Sequence, residues 1–492
     1  MKKLQGLPDI RRYFHRMEEP TYFIGATPFN LLGMDEWVRN FTFVNYINCF
    51  DSEHPHVFVP REKPHPVFKS IEEITNYLLG HEDFAELVKK NSYGKRGRRG
   101  NAVFLFFDEE SERLCKKLGL RVCFPPSKLR TKIDNKIMTT RIGNEAGVKS
   151  VPNALSRVKS YDNLMAIAKR KKLGDDLVVQ TAFGDSGHTT FFISSEKEYK
   201  PHAKEIEQEK EVKIMKRVRC RGSALEACVT RHGTIVGPLM TELVGFKEMT
   251  PYKGGWCGNE VFQDAFPQKV RDFARKSAFK VGEALRKKGY RGYFEVDFLT
   301  DLDTDDVYLG EINPRITGAS SMTNLAAFAH ADAPLFLFHL LEFSGVPFEL
   351  DVNEINERWA SKDNIDNWSQ LVIKHTGKEI ELITSAPRSG VWELNENGKI
   401  DFIRPQTHRR TVQREDRGFF LRIANQGDWF YEGADLGILV TPGRLMTKNF
   451  KLTERARAWI RGIRGQYNAG SVTKEKRARV EREVAVGAFK LL

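Results

Sequence analysis

The segment Gly310-Glu311-Ile312-Asn313-Pro314-Arg315 restricts what this chain can build more than any other stretch of it. As an extended strand it carries Glu311 and Asn313 on one face, because side chains alternate across a strand. Pro314 ends the strand. Asp297 lies fourteen residues before Glu311, in a run where Phe294, Val296 and Phe298 share one face and Glu295 and Asp297 the other. If the two runs pair through the polar loop 301–306, two carboxylates and an amide oxygen converge. Oxygen-only donors suit a hard cation such as Mg²⁺. Arg315 then stands at the mouth of the group. Without further context, the same residues would also make an ordinary hairpin with solvated acids.

At 492 residues the chain is too long for one hydrophobic core. Four regions differ in texture. Residues 1–125 read as α/β: Thr21–Ile24 and Ala102–Phe107 are strand candidates, and a helix is expected over Ser111–Leu118 with Gly119 as its stop. The polar Asp108-Glu109-Glu110 at the end of the second strand is where open α/β sheets place ligands. Residues 126–205 open on a basic segment, then give a strand at Val178–Thr181, the loop Gly184-Asp185-Ser186-Gly187-His188 and a return strand at Thr189–Ile193. Residues 206–345 hold the strongest helical period, Val270, Phe273, Ala274, Ala278, Val281 and Leu285, stopped at Gly289. Residues 346–492 are mixed, with short strands at Glu379–Ile383 and Phe419–Ile423, a helix over Thr453–Ile463 and a basic surface tail from Ser471.

The net charge of +13 suits polyanionic ligands, nucleotide phosphates among them. Because the charge is spread along the chain, nucleic acid is disfavoured. The densest basic run, Lys89–Gly100, reads as a solvated loop. Six cysteines without a CxxC pair exclude a zinc site by spacing and fit reduced thiols. Met1–Gly6 lacks the apolar stretch of a signal peptide, and the apolar run Ala333–Leu341 is too short for a bilayer. A cytoplasmic protein without membrane contact is expected.

With the metal-type motif, the acid-bearing strand and the glycine loop in this order, residues 126–345 resemble the ATP-grasp superfamily, in its biotin-carboxylase-like and carboxylate–amine ligase group. The resemblance implies an α/β (α+β) ATP-grasp fold, with a Rossmann-like domain before it and a β-rich region after it. It implies ATP and Mg²⁺ (or Mn²⁺) as cofactors, with Asp297, Glu311 and Asn313 as metal ligands and Arg315 on the reacting anion. In Asp134-Asn135-Lys136, Lys136 corresponds to a lysine on the ATP phosphates. Gly184, Asp185, Ser186, Gly187 and His188 correspond to the loop that covers them, where glycines let backbone N–H groups approach oxyanions. Lys216, Arg217 and Val218 fall where the family places its hinge against adenine, and Glu226 falls on the phosphate or ribose side.

One departure stands out. Where relatives carry a second phosphate-binding lysine, this chain has Gln180. ATP binds with the charge supplied by His188 or another base, or it binds more weakly, or catalysis has been lost. The intact set of Asp297, Glu311, Asn313 and Arg315 argues against loss.

The resemblance also implies a carboxylate activated as an acyl phosphate. In biotin carboxylase the metal motif runs into a stretch that supplies the base for bicarbonate. Here Ile316–Ser321 offers no carboxylate, and Gly318, Ala319 and Ser320 suggest a pocket for an organic acyl group. The expected function is an amide-forming ligase for small carboxylate and amine substrates. A biotin-carboxylase-type carboxylase and a retired nucleotide-binding protein are the alternatives, and homodimerisation is left open.

Other candidates carry less. The acidic loop from Asp301 lacks the glycine and twelfth-position acid of a calcium loop. His54-Pro55-His56 reads as a surface loop. His330 and Asp332 suit a pocket or a helix cap equally. Gly25–Asn30 could hold part of a substrate but lacks a dinucleotide fingerprint.

Overall fold

The computed structural model describes residues 3–61, 68–92, 99–184, 189–324, 333–365 and 367–487. The expectations for His330, Asp332, Asp185–His188 and the middle of the Lys89–Gly100 run lie outside the described residues.

The N-terminal region is a parallel sheet of five strands in the order Val57–Phe58, Phe41–Asn45, Thr21–Gly25, Asn101–Phe104, Arg121–Val122. Its central strand Thr21–Gly25 is buried at every position. The helix after the fourth strand is Glu109–Leu118. Asp108 and Ser111 close a capping box at its start, and Gly119 ends it at φ 75°. Asp108 also accepts two N–H bonds from Asn76, at 3.1 and 3.2 Å. Asp108 itself is therefore a helix cap, while Leu105 and Phe106 just before it at this strand end line the cleft described below.

The next lobe is an antiparallel sheet of Asn153–Ser156, Val212–Lys216, Leu177–Gln180 and Thr190–Ile193, in that order across the sheet. The helix Lys136–Ala146 begins where the Asn135 side chain accepts from Ile137 N and Met138 N, at 2.9 and 3.0 Å.

A ten-stranded sheet follows. Its first five strands are Val307–Asn313, Gly292–Asp301, Cys220–Thr230, Gly233–Val244 and Trp256–Val261. The next is Trp368–Lys374, which pairs with Trp256–Val261. Strand pairing thus runs straight across residue 345, and the C-terminal strands extend the sheet that carries the site. The 20-residue helix Gln268–Lys287 packs on it through Val270, Ala274, Ala278, Val281 and Leu285, all buried, and Gly289 stops it at φ 86°. Phe273, placed in the same stripe from its spacing, is 41% exposed. It sits at the edge of the apolar arc, and this sheet does not reach it.

The apolar run at 333–341 lies largely in the buried helix Leu335–Phe343. Among the described residues, no helix is long and apolar enough to cross a membrane. All six cysteines are free thiols. His54 is buried against the rings of Phe43 and Phe50, while Pro55 and His56 are exposed in a surface turn as expected, with His56 pairing with Asp35 at 2.8 Å.

Candidate active site

The strands Gly292–Asp301 and Val307–Asn313 pair antiparallel, with Asp297 opposite Glu311 and Glu295 opposite Asn313. All four therefore share one face. A bulge follows Asp297. Gly310 sits there so close to the Asp297 backbone that a β-carbon would lie 3.1 Å from its carbonyl oxygen. Phe294, Val296 and Phe298 point the other way, into the core under the long helix. The shared face expected from alternation is present.

Asn313 Nδ2 donates to Glu295 Oε2 and Asp297 Oδ2, both at 3.0 Å, and Arg315 Nη2 donates to Asn313 Oδ1 at 2.9 Å. Lys136 Nζ donates to Glu311 Oε1 at 3.0 Å and also to the Gly184 carbonyl. Arg315 Nε donates to Asp134 Oδ2 at 3.2 Å, and its guanidinium lies over the Phe106 ring at 4.6 Å. These groups line a cleft of about 670 Å³. The end of the parallel sheet contributes Leu105 and Phe106, the small lobe Gln180, Gly184, Lys213 and Met215, the large sheet Glu242 and Trp256, and the turn after the strand Val307–Asn313 contributes Thr317, Gly318 and Ala319.

The electrostatics are lopsided. Burial raises the Asp297 carboxyl well above its ordinary value, and the nearby carboxylates of Glu295, Glu242 and Glu311 raise it further. Burial, then Glu226 and Glu242, do the same to Glu295. Glu242 is pushed up to about 7 by burial and by Glu311. Arg315 is also penalised by burial, but Asp134, Glu295 and Glu311 more than offset this and hold it charged. The mutual repulsion of Asp297, Glu295, Glu242 and Glu311 is what a divalent cation at this end of the cleft would relieve. Asp297, Glu311 and Asn313 would be its protein ligands. Among the described residues, no three His, Cys, Asp or Glu side chains close round one point, so the candidate set is two carboxylates and an amide.

Gly318 and Ala319 line the cleft. The Trp256 ring covers Gly318 so closely that a β-carbon there would lie 2.2 Å from Cη2. Asn30 Nδ2 donates to the Thr317 carbonyl at 2.8 Å, so the Gly25–Asn30 turn buttresses this wall. Ser320 is buried instead, its hydroxyl donating to Glu226 Oε1 at 2.5 Å.

Glu226 does not line the cleft. It is fully buried and also accepts from the hydroxyls of Tyr293 and Thr317, which makes it a packed structural acid in place of a nucleotide contact. Lys216, Arg217 and Val218 stay outside the lining too. Arg217 lies over the Phe192 ring at 5.0 Å and pairs with Asp176 at 3.4 Å. Met215, one residue earlier, faces the cleft. Gln180 does line it, with Nε2 donating to Thr190 Oγ1 at 3.1 Å.

The sequence reading missed Lys213, Glu242, Glu295 and Arg130 as cleft residues. Lys213 stands directly opposite Gln180 on the neighbouring strand and is 1% exposed. Burial and the nearby Lys136 ammonium bring its pKa down to about 8 against the opposing pull of Glu311. Glu242 reaches across Gly222, where a β-carbon would lie 2.6 Å from its Oε2. Arg130 is buried, donates to the Phe107 carbonyl at 2.8 Å and lies 3.5 Å from Asp134.

No protein-family model matches the sequence, and no curated protein matches it. Solved structures do match in shape. A Campylobacter jejuni biotin carboxylase in complex with an ATP analogue superposes with a TM-score of 0.61 at 13% identity, covering 93% of each chain. The biotin carboxylase domain of Hydrogenobacter thermophilus 2-oxoglutarate carboxylase, with MgADP and bicarbonate, gives 0.58 at 12% identity over 96% of this chain and 99% of that one. Phosphoribosylamine–glycine ligase from Thermotoga maritima gives 0.52 at 13% identity over 92% and 97%. At such identities the likeness establishes the fold, which is that of the ATP-grasp enzymes, as the motifs implied.

Proposed function

We propose that this chain, built on the ATP-grasp fold, is an ATP-dependent carboxylate–amine ligase that forms an amide bond through an acyl phosphate. The observation that carries the reading is the convergence of Asp297, Glu311 and Asn313 on one sheet face, between Lys136 and Arg315, in one cleft walled by three regions of the chain.

The chemistry follows from charge. A carboxylate oxygen attacks the γ-phosphorus of ATP and ADP leaves; an amine then displaces phosphate from the carbonyl. The protein's part is to position the reactants and neutralise charge. Mg²⁺ bound at Asp297, Glu311 and Asn313 would supply neutralisation of the phosphate oxygens. Lys136 holds the strand-borne carboxylate to the start of the glycine loop, through Glu311 on one side and the Gly184 carbonyl on the other. Arg315, fixed by Asp134 and Asn313, presents a permanently charged guanidinium to the acyl phosphate or to the oxyanion that follows it. The wall made by Trp256, Gly318 and Ala319 is apolar, which supports an organic acyl group in preference to bicarbonate. Free thiols throughout support a reducing, cytoplasmic setting.

Phosphate release from ATP and Mg²⁺ in the presence of pooled amino acids tests the reading. Stimulation by an acid–amine pair, lost in Glu311→Ala, is expected. No stimulation by any pair, with Glu311→Ala indistinguishable from wild type, would favour a retired binding protein.

A further inference from the structure

We infer that Lys213 supplies the phosphate-side positive charge that Gln180 lacks, delivered to the same place from the adjacent strand. This rests on the nucleotide reading proposed above and names one more residue of that site.

Lys213 and Gln180 are directly opposed in an antiparallel pair, so their side chains leave the same face of the small sheet within reach of one ligand. Both line the cleft. Along its own strand, Lys213 shares that face with Met215, two residues nearer the expected adenine hinge. Its electrostatic neighbours are Glu311 and Lys136, the residues at the metal end. The strand therefore presents an apolar side chain toward the base and a cation toward the phosphates.

Among the described residues, Lys213 has no hydrogen-bond or ion-pair partner, although its side chain is almost wholly buried. An ammonium in that position is unfavourable until an anion meets it, and a methionine of similar length would pack there without the cost. A packing role would not call for a lysine; an anionic ligand would. Lys136, by contrast, is already engaged with Glu311 and Gly184. Gln180 hydrogen-bonds to Thr190 and brings no charge.

The test is calorimetric binding of Mg·ATP to the full chain as wild type, Lys213→Met and the double variant Q180K/K213M, with thermal melts alongside. Lys213→Met is expected to weaken binding about tenfold or more, as loss of a charge-assisted contact does, without lowering Tm. The double variant, with the charge returned to the opposite strand, is expected to recover most of the loss. If the wild type binds Mg·ATP and Lys213→Met binds it within about twofold, the assignment fails while the nucleotide reading stands. Weakening that the double variant does not repair would also overturn it, since the role would then belong to position 213 and not to the charge. A wild-type chain that binds no Mg·ATP overturns the nucleotide reading and this inference together.

Discussion

Replacing Lys213 by methionine should stabilise the free protein, and the gain should depend on pH. The side chain is 1% exposed, and its pKa falls from 10.5 to about 8, mainly through burial. An unfolded chain keeps this proton up to about pH 10.5, whereas the folded chain releases it from about 8 upward. Folding is therefore penalised in full below about pH 8, and the penalty fades as pH rises toward 10.5. At ~1.4 kcal/mol per pH unit, the full penalty is about 3 kcal/mol. Methionine keeps the apolar stem and removes the charge. The variant should gain up to about 3 kcal/mol at pH 7, shrinking to about 1 kcal/mol at pH 9.5. If the whole chain melts as one unit, each kcal/mol moves Tm by about 1 °C, and by several degrees if the small lobe melts separately. Scanning calorimetry of both proteins at pH 7 and pH 9.5, without nucleotide, measures the difference. A variant that melts lower at both pH values, or a difference that does not change with pH, would refute the reasoning.

Three further outcomes follow from the same geometry. Gly318→Ala should push the Trp256 ring aside and cut ligation at least about tenfold while leaving Mg·ATP affinity within about threefold; steady-state kinetics set against calorimetry separate the two effects. Glu226→Ala strands the hydroxyls of Tyr293, Thr317 and Ser320 in the core, so it should cost about 3 kcal/mol or more, read as a lowered denaturation midpoint with nucleotide affinity changed only as far as folding is. Gln180→Lys should keep or tighten ATP binding. A collapse of affinity in calorimetry would remove Gln180 from the phosphate side of the cleft.

The metal end of the cleft was legible because it depends on local rules. Alternation sets the faces of Asp297, Glu311 and Asn313, and a short polar loop makes their two strands neighbours. The helix Gln268–Lys287 was legible for the same reason, apart from Phe273 at the margin of its stripe. What could not be read depends on register between strands far apart in sequence. Lys213 becomes a cleft residue only because Val212–Lys216 pairs with Leu177–Gln180 so that it faces Gln180. Glu242 reaches the acidic group over Gly222, from two strands beyond Asp297. Glu226 alternates like a site residue, yet three hydroxyls from other elements turn it into a core acid. The β-rich texture after residue 345 was visible, but its continuity with the site sheet rests on Gly258 meeting Leu371, more than a hundred residues away.

The most direct test of the central claim follows an oxygen atom. The protein is incubated with Mg·ATP, an amine pool and amino acids labelled with oxygen-18 in their carboxylates, and the released phosphate is analysed by mass spectrometry. Activation at the Asp297–Glu311–Asn313 end of the cleft predicts phosphate carrying one labelled oxygen from the acid, with the signal lost in Glu311→Ala. Phosphate released without label, or in equal amount from Glu311→Ala, would contradict it.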